Sequence, residues 1–106
     1  MRDGALGDGD AAQPREDAIR RVLEIVNKKG LHARASAKFV QTVEKFDAVV
    51  TVTRGSETVG GTSIMGLMML SAATGTEIVV EASGKQAADV MEALVELVNG
   101  GFGEED

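Results

Sequence analysis

Between residues 19 and 99 the apolar positions change period along the chain, from every second residue to every third or fourth and back. A period of 2 marks one face of a strand, and a period of 3.6 marks one stripe of a helix. Ile19 to Val26 is short and β-branched, with Leu23 and Ile25 flanking Glu24, so it reads as a strand. Ala33 to Lys45 carries Phe39, Val40 and Val43, followed by Phe46, at helical spacing. Ala48 to Thr53 alternates again, with Val50 and Val52 on one face. Arg54-Gly55-Ser56-Glu57 is a turn leading to a weak strand through Val59, which Gly60-Gly61-Thr62-Ser63 breaks. A short helix over Ile64 to Leu70 follows, then a turn at Thr74-Gly75. Glu77 to Ala82 puts Ile78, Val80 and Ala82 on one face. The last helix runs from about Lys85 to Asn99, with an apolar stripe of Ala87, Val90, Met91, Leu94, Val95 and Val98. The order is βαββαβα. Strands of period 2 suit a sheet with one solvated face. The expected fold is therefore α+β, an open-faced β-sandwich: a four-stranded antiparallel sheet with three helices on one face.

The ends carry no such pattern. Residues 1–17 are rich in Gly, Asp and Ala, contain the only proline, and read as a flexible extension. Residues 18–99 form the folded domain. Gly100 to Asp106 is a glycine-rich acidic tail, expected to be mobile with Phe102 pinned against the body. The whole chain has 106 residues, enough for one modest core. A net charge of −6 and only three aromatic residues, all Phe, argue against nucleic-acid binding. No apolar run has membrane-spanning length, and the N-terminus lacks the apolar core of a signal peptide. There is no cysteine, so neither disulfides nor thiol chemistry enter.

The only histidine, His32, falls in Gly30-Leu31-His32-Ala33-Arg34, where a strand pattern ends and a helix pattern begins. A helix start holds unpaired backbone N–H groups and the positive end of the macrodipole. A phosphate carried there would meet ready-made donors. Arg34 adds a charge-assisted donor for phosphate oxygens. By itself such a histidine reads as a surface residue acting as a poor helix cap; the glycine, the arginine and the helix start favour the phosphate reading. A metal role lacks a second histidine or a cysteine. A triad lacks an acid to orient the ring, although Ser36 is close in sequence. These groups suffice for a reversible phosphate carrier and not for a hydrolytic enzyme.

Four features stand out beside it. Arg34 near a helix N-terminus is unfavourable for the dipole by a few tenths of a kcal/mol, which phosphate neutralisation would justify. Lys38, one turn on, reads as a steering or solubility charge. Ser63 is placed to cap the short helix, and a phosphoserine there would be tolerated by the dipole while repelling an acidic partner. Ile64 to Leu70 is almost wholly apolar. Half should face the core; Met65 and Met68, with Ile64 partly covered, should be exposed as an adaptable binding surface. The alternative is a helix buried on both sides.

The segment Asn27-Lys28-Lys29-Gly30-Leu31-His32-Ala33-Arg34-Ala35 resembles the active-site motif of the HPr family, the histidine phosphocarriers of the bacterial phosphotransferase system. Thr62-Ser63-Ile64-Met65-Gly66-Leu67-Met68 is similar to the family's regulatory serine segment, at the matching distance. The resemblance covers about Ile19 to Asn99. The C-terminal tail and the Asn27-Lys28 start are similar to the nitrogen-related paralogue NPr, whereas Ser63-Ile64-Met65-Gly66 resembles HPr proteins modified by HPr kinase/phosphorylase. The resemblance implies that His32 accepts phosphate on its δ nitrogen from phosphorylated Enzyme I, of the sugar or nitrogen branch, and passes it to an EIIA-type protein. It implies that Arg34 orients the phosphoryl group, that Ser63 is the kinase target, and that Ala37, Ile64, Met65 and Met68 belong to the partner-binding patch. It further implies a cytoplasmic monomer that is a substrate of its partners rather than an enzyme, without cofactor, metal or membrane insertion. Two features depart from the family pattern. Ala35 stands where most members carry proline, which would rigidify the first turn, and residues before Ile19 are extra.

Two other readings compete. One is a regulatory module whose output is binding, switched by phosphorylation, with no main role in sugar uptake. The other is a small-molecule-binding α/β domain, for which the sequence carries no pocket signature.

Overall fold

The period-2 segments pair into one sheet because each has a single apolar face to bury. The computed structural model describes residues 18–104; the expected flexible extension over residues 1–17 and the last two tail residues lie outside it. The elements are β1 (Ile19–Glu24), α1 (Ala33–Val43), β2 (Val49–Arg54), β3 (Glu57–Gly60), α2 (Ile64–Met69), β4 (Glu77–Ser83) and α3 (Ala87–Asn99), then a 3₁₀ turn at Gly101–Gly103. The strands run antiparallel in the order β1-β4-β2-β3, with Val22 opposite Val79, Val52 opposite Val80 and Val52 opposite Val59.

One face of this sheet is dry. Val50, Val52, Ile78, Val80 and Ala82 pack beneath Phe39, Val43, Leu67, Val90, Leu94 and Val98 of the helices, all buried. The other face stays open, with Val22 and Val49 each half exposed. This is the expected open-faced α+β sandwich.

Element ends differ from expectation for local reasons. β1 stops at Glu24, but the ladder continues through Ile25, whose N–H donates to Thr76 O at 2.9 Å. α1 stops at Val43 because Lys45 and Phe46 tighten to bonds three residues back, on Thr42 and Val43. α3 starts at Ala87 rather than Lys85, since Gln86 is held outside by Asp47: its N–H donates to Asp47 O and its Oε1 accepts from Asp47 N–H.

The largest departure is the tail. Gly101, Phe102 and Gly103 all have left-handed φ angles, +66°, +58° and +71°. For Phe102 that conformation costs roughly 1–2 kcal/mol. Full burial of its ring, 1% exposed, gives back roughly 1.5–3 kcal/mol. The expected pinning of Phe102 is present, and Gly101–Gly103 form a 3₁₀ turn that seats its ring in the core.

Gly30 is the glycine on which the rest of the loop depends. It has φ +66°, and a Cβ there would stand 2.4 Å from Ala72 O, the same oxygen that accepts the Leu31 N–H at 3.0 Å. Gly30→Ala is expected to destabilise the domain by about 2 kcal/mol or more, read as a lowered urea midpoint, because both backbone strain and a backbone clash are introduced.

Candidate functional site

The site begins where β1 runs out. Asn27, 2% exposed, closes a turn in which Gly30 N–H donates to Asn27 O at 3.2 Å and Asn27 Nδ2 donates to Gly30 O at 2.9 Å. Gly30 then reverses the chain against Ala72, and His32 takes an extended backbone, φ −76° and ψ −177°, as the N-cap of α1. Its carbonyl accepts the Ser36 N–H at 2.9 Å, and buried Ser36 Oγ donates to Leu31 O at 3.2 Å. Ser36 is thus spent on the loop and is no nucleophile.

The imidazole is held at both nitrogens. Nδ1 accepts the Arg34 backbone N–H at 3.2 Å, and Nε2 lies 2.5 Å from Glu104 Oε2. A backbone N–H only donates and a carboxylate only accepts. Those partners assign the tautomer: the proton sits on Nε2, and Nδ1 carries the lone pair. The hydrogen bond from His32 holds the Glu104 carboxyl below the usual carboxylate range, against the opposing effect of desolvation. Asn27 Nδ2, donating to Glu104 Oε1 at 3.1 Å, and the charge of Lys38 act in the same direction.

An open cleft surrounds the ring, lined by Lys29, Ala33, Arg34, Lys38, Gly103 and Glu104. Arg34 is exposed at the helix start. Lys38, expected to be a solvated steering charge, instead donates from Nζ to Phe102 O at 2.6 Å and holds the tail in place. The result is a nitrogen lone pair beside a helix N-terminus, a guanidinium and lysines. A phosphoryl group attached to Nδ1 would take over the Arg34 N–H that now caps against the ring. Among the described residues no group of three His, Cys, Asp or Glu is placed to hold a metal ion.

Ser63 is exposed and caps α2, its Oγ accepting the Gly66 N–H at 2.9 Å. α2 buries only Leu67. Met65 is 70% exposed, and Ile64 and Met68 are 40% exposed. Met69, not anticipated, is as exposed as Met65. Ala37, on α1, is partly buried. α2 packs against α1, and the Leu31–Ala72 bond ties the His32 loop to the segment just after α2. The predicted residues therefore fall on neighbouring elements.

The acid that the sequence did not supply is Glu104, 72 residues from His32. Its carrier is the Gly-Phe-Gly turn, and the one sequence signal was a lone phenylalanine in an acidic, glycine-rich tail.

Known proteins carry the same arrangement of elements. Residues 19–100 match the family model described as the PTS HPr component phosphorylation site. The phosphocarrier protein HPr of Neisseria meningitidis is 54% identical over 86 residues, 81% of this chain and 97% of that protein. The phosphocarrier protein NPr of Klebsiella oxytoca is 35% identical over 88 residues, 82% of this chain and 98% of that protein. A crystal structure of HPr from Thermoanaerobacter tengcongensis superposes with a TM-score of 0.79 at 40% identity, covering 83% of this chain and 99% of that one. With its fold, its match over residues 19–100 and its relatives all in agreement, the chain belongs to the HPr family of phosphotransferase-system phosphocarrier proteins.

Proposed function

We propose that this chain accepts a phosphoryl group on Nδ1 of His32 from phosphorylated Enzyme I and passes it to an EIIA-type protein. The observation that carries this is the placement of the ring: Nδ1 is unprotonated and faces the open helix start, while Nε2 is turned onto Glu104. In loading, the Nδ1 lone pair forms the N–P bond as the donor's bond to phosphorus breaks, its electron pair staying with the donor. In unloading, the acceptor's lone pair takes the phosphorus and the N–P pair returns to Nδ1. Arg34, with its backbone N–H and guanidinium, orients the oxygens in both steps. The protein is the substrate of its partners and not itself an enzyme. Its names among relatives span both HPr and NPr, so the reading covers a sugar or a nitrogen branch of Enzyme I.

The reading extends to the surface beside the site. Ala37, Ile64, Met65 and Met68 form the docking patch, supported by the exposure of the α2 side chains. Ser63, the residue that caps α2, is the target of an HPr kinase/phosphorylase, and its phosphate sets a charge beside an apolar contact. Burying that charge carries a desolvation cost, so docking weakens. The carrier works as a cytoplasmic monomer, a reading compatible with the absence, among the described residues, of any helix long and apolar enough to cross a membrane.

Incubation with phosphoenolpyruvate, Enzyme I and candidate EIIA proteins, followed by intact mass measurement, tests the transfer. His32→Ala should fold and show no acid-labile phosphate, and Arg34→Ala should fold and load more slowly, with Arg34→Lys recovering only part because lysine lacks the bidentate fork. Acid-labile phosphate retained in His32→Ala overturns the reading.

A second measurement addresses Ser63. Ser63→Asp should load from Enzyme I much more slowly than the parent. Ser63→Ala should lose about 1 kcal/mol of stability through the missing cap and still accept phosphate at His32. Equal loading rates for Ser63→Asp and the parent would reduce Ser63 to a plain helix cap.

A further inference from the structure

Three positive side chains, Lys29, Arg34 and Lys38, line the cleft around His32, at the positive end of α1. Among the described residues, Glu104 is the only carboxylate lining that cleft. It does not face the lone-pair nitrogen. It sits on Nε2, its side chain 13% exposed, braced by Asn27 Nδ2 at 3.1 Å. Lys38 fixes the preceding turn by its bond to Phe102 O, and Phe102 anchors that turn in the core. The carboxylate is therefore delivered to one atom of the ring by a built support.

We propose that Glu104 is a positioning residue for phosphoryl transfer, keeping the proton on Nε2 both before His32 is loaded and while it carries phosphate. This rests on the reading of His32 as the phosphoryl acceptor. In the free ring, a proton kept on Nε2 leaves the lone pair on Nδ1, so the phosphoryl group goes there and not to Nε2. In the loaded ring, the same proton makes the imidazole cationic. When the N–P bond then breaks, its electron pair returns to Nδ1 and the ring leaves as neutral imidazole, still bearing Nε2–H. Without that proton the ring would have to leave as imidazolate, a far poorer leaving group. Lys29, Arg34, Lys38 and the helix dipole all favour loss of the proton from the loaded ring; Glu104 opposes them. The carboxylate thus keeps the phosphoryl group transferable toward higher pH.

The test separates this role from the carrier reading by using a small phosphoryl donor. The full chain is phosphorylated with potassium phosphoramidate, the labelled nitrogen is identified by ³¹P NMR, and dephosphorylation is followed by intact mass from pH 6 to 9. Glu104→Gln keeps the size and one accepting oxygen for the His32 Nε2–H, removes the charge, and turns the oxygen facing Asn27 Nδ2 into an NH2 donor. In the parent, label is expected on Nδ1. In Glu104→Gln, the fall in hydrolysis rate with rising pH should move down by about one unit, so that release near pH 8 is about tenfold slower. Glu104→Asp should recover part of the difference, and all three should melt cooperatively as folded domains. Superimposed pH profiles for the parent and Glu104→Gln, or label on Nε2 in the parent, overturn the proposal. Loading by Enzyme I with superimposed profiles removes the role of Glu104 alone. Displaced profiles with no loading by Enzyme I leave that role standing and remove the carrier reading.

Discussion

Every strand of this domain buries the same face of one sheet, and that single dry face organises the rest. With four strands and one covered side, the helices that follow β1, β3 and β4 all have to lie on the same side of the sheet, so their starts and ends crowd its edges. Apolar burial at roughly 25 cal/mol per Å² rewards this arrangement wherever the sequence keeps its period. It places the start of α1 beside the end of α2 and beneath the exit of α3, where polar groups of three separate segments meet.

At that meeting point the backbone is spent carefully. Hydrogen bonds among Asn27, Gly30, Leu31, Ser36 and Ala72 hold the loop, which leaves His32 fixed at the N-cap while its ring stays partly open. Side chains held by packed, hydrogen-bonded supports keep their geometry. Here the support is unusual in its length along the chain: the ring is oriented at one nitrogen by the residue two positions on and at the other by a residue near the C-terminus.

The electrostatics of the cleft follow from the same geometry. Cations and a helix N-terminus favour an anion, and Glu104 supplies one permanently at the nitrogen away from the helix start. Among the described residues, that leaves donors and no carboxylate on the Nδ1 side. Beside it, α2 turns Met65, Met68 and Met69 outward while Leu67 goes into the core. An unbranched apolar side chain adapts its shape to different contacts.

Much of this was legible in the sequence. The alternation of Val50 with Val52 and of Ile78 with Val80 and Ala82, and the stripe from Ala87 to Val98, determined the elements and the fold class, because periodicity reports which face each element buries. Gly30, His32 and Arg34 marked the candidate site because a helix start and its cap are local features, spanning a few residues. Ser63 was legible for the same reason. What lay outside the reach of local pattern was everything closed over distance. That Lys38 holds Phe102, that the left-handed Gly-Phe-Gly turn is stabilised by burying a ring, and that Glu104 reaches Nε2 of His32 were decided only by tertiary structure. No period or spacing encodes a contact across 72 residues. It arises because the core places the end of the last helix beside the start of the first.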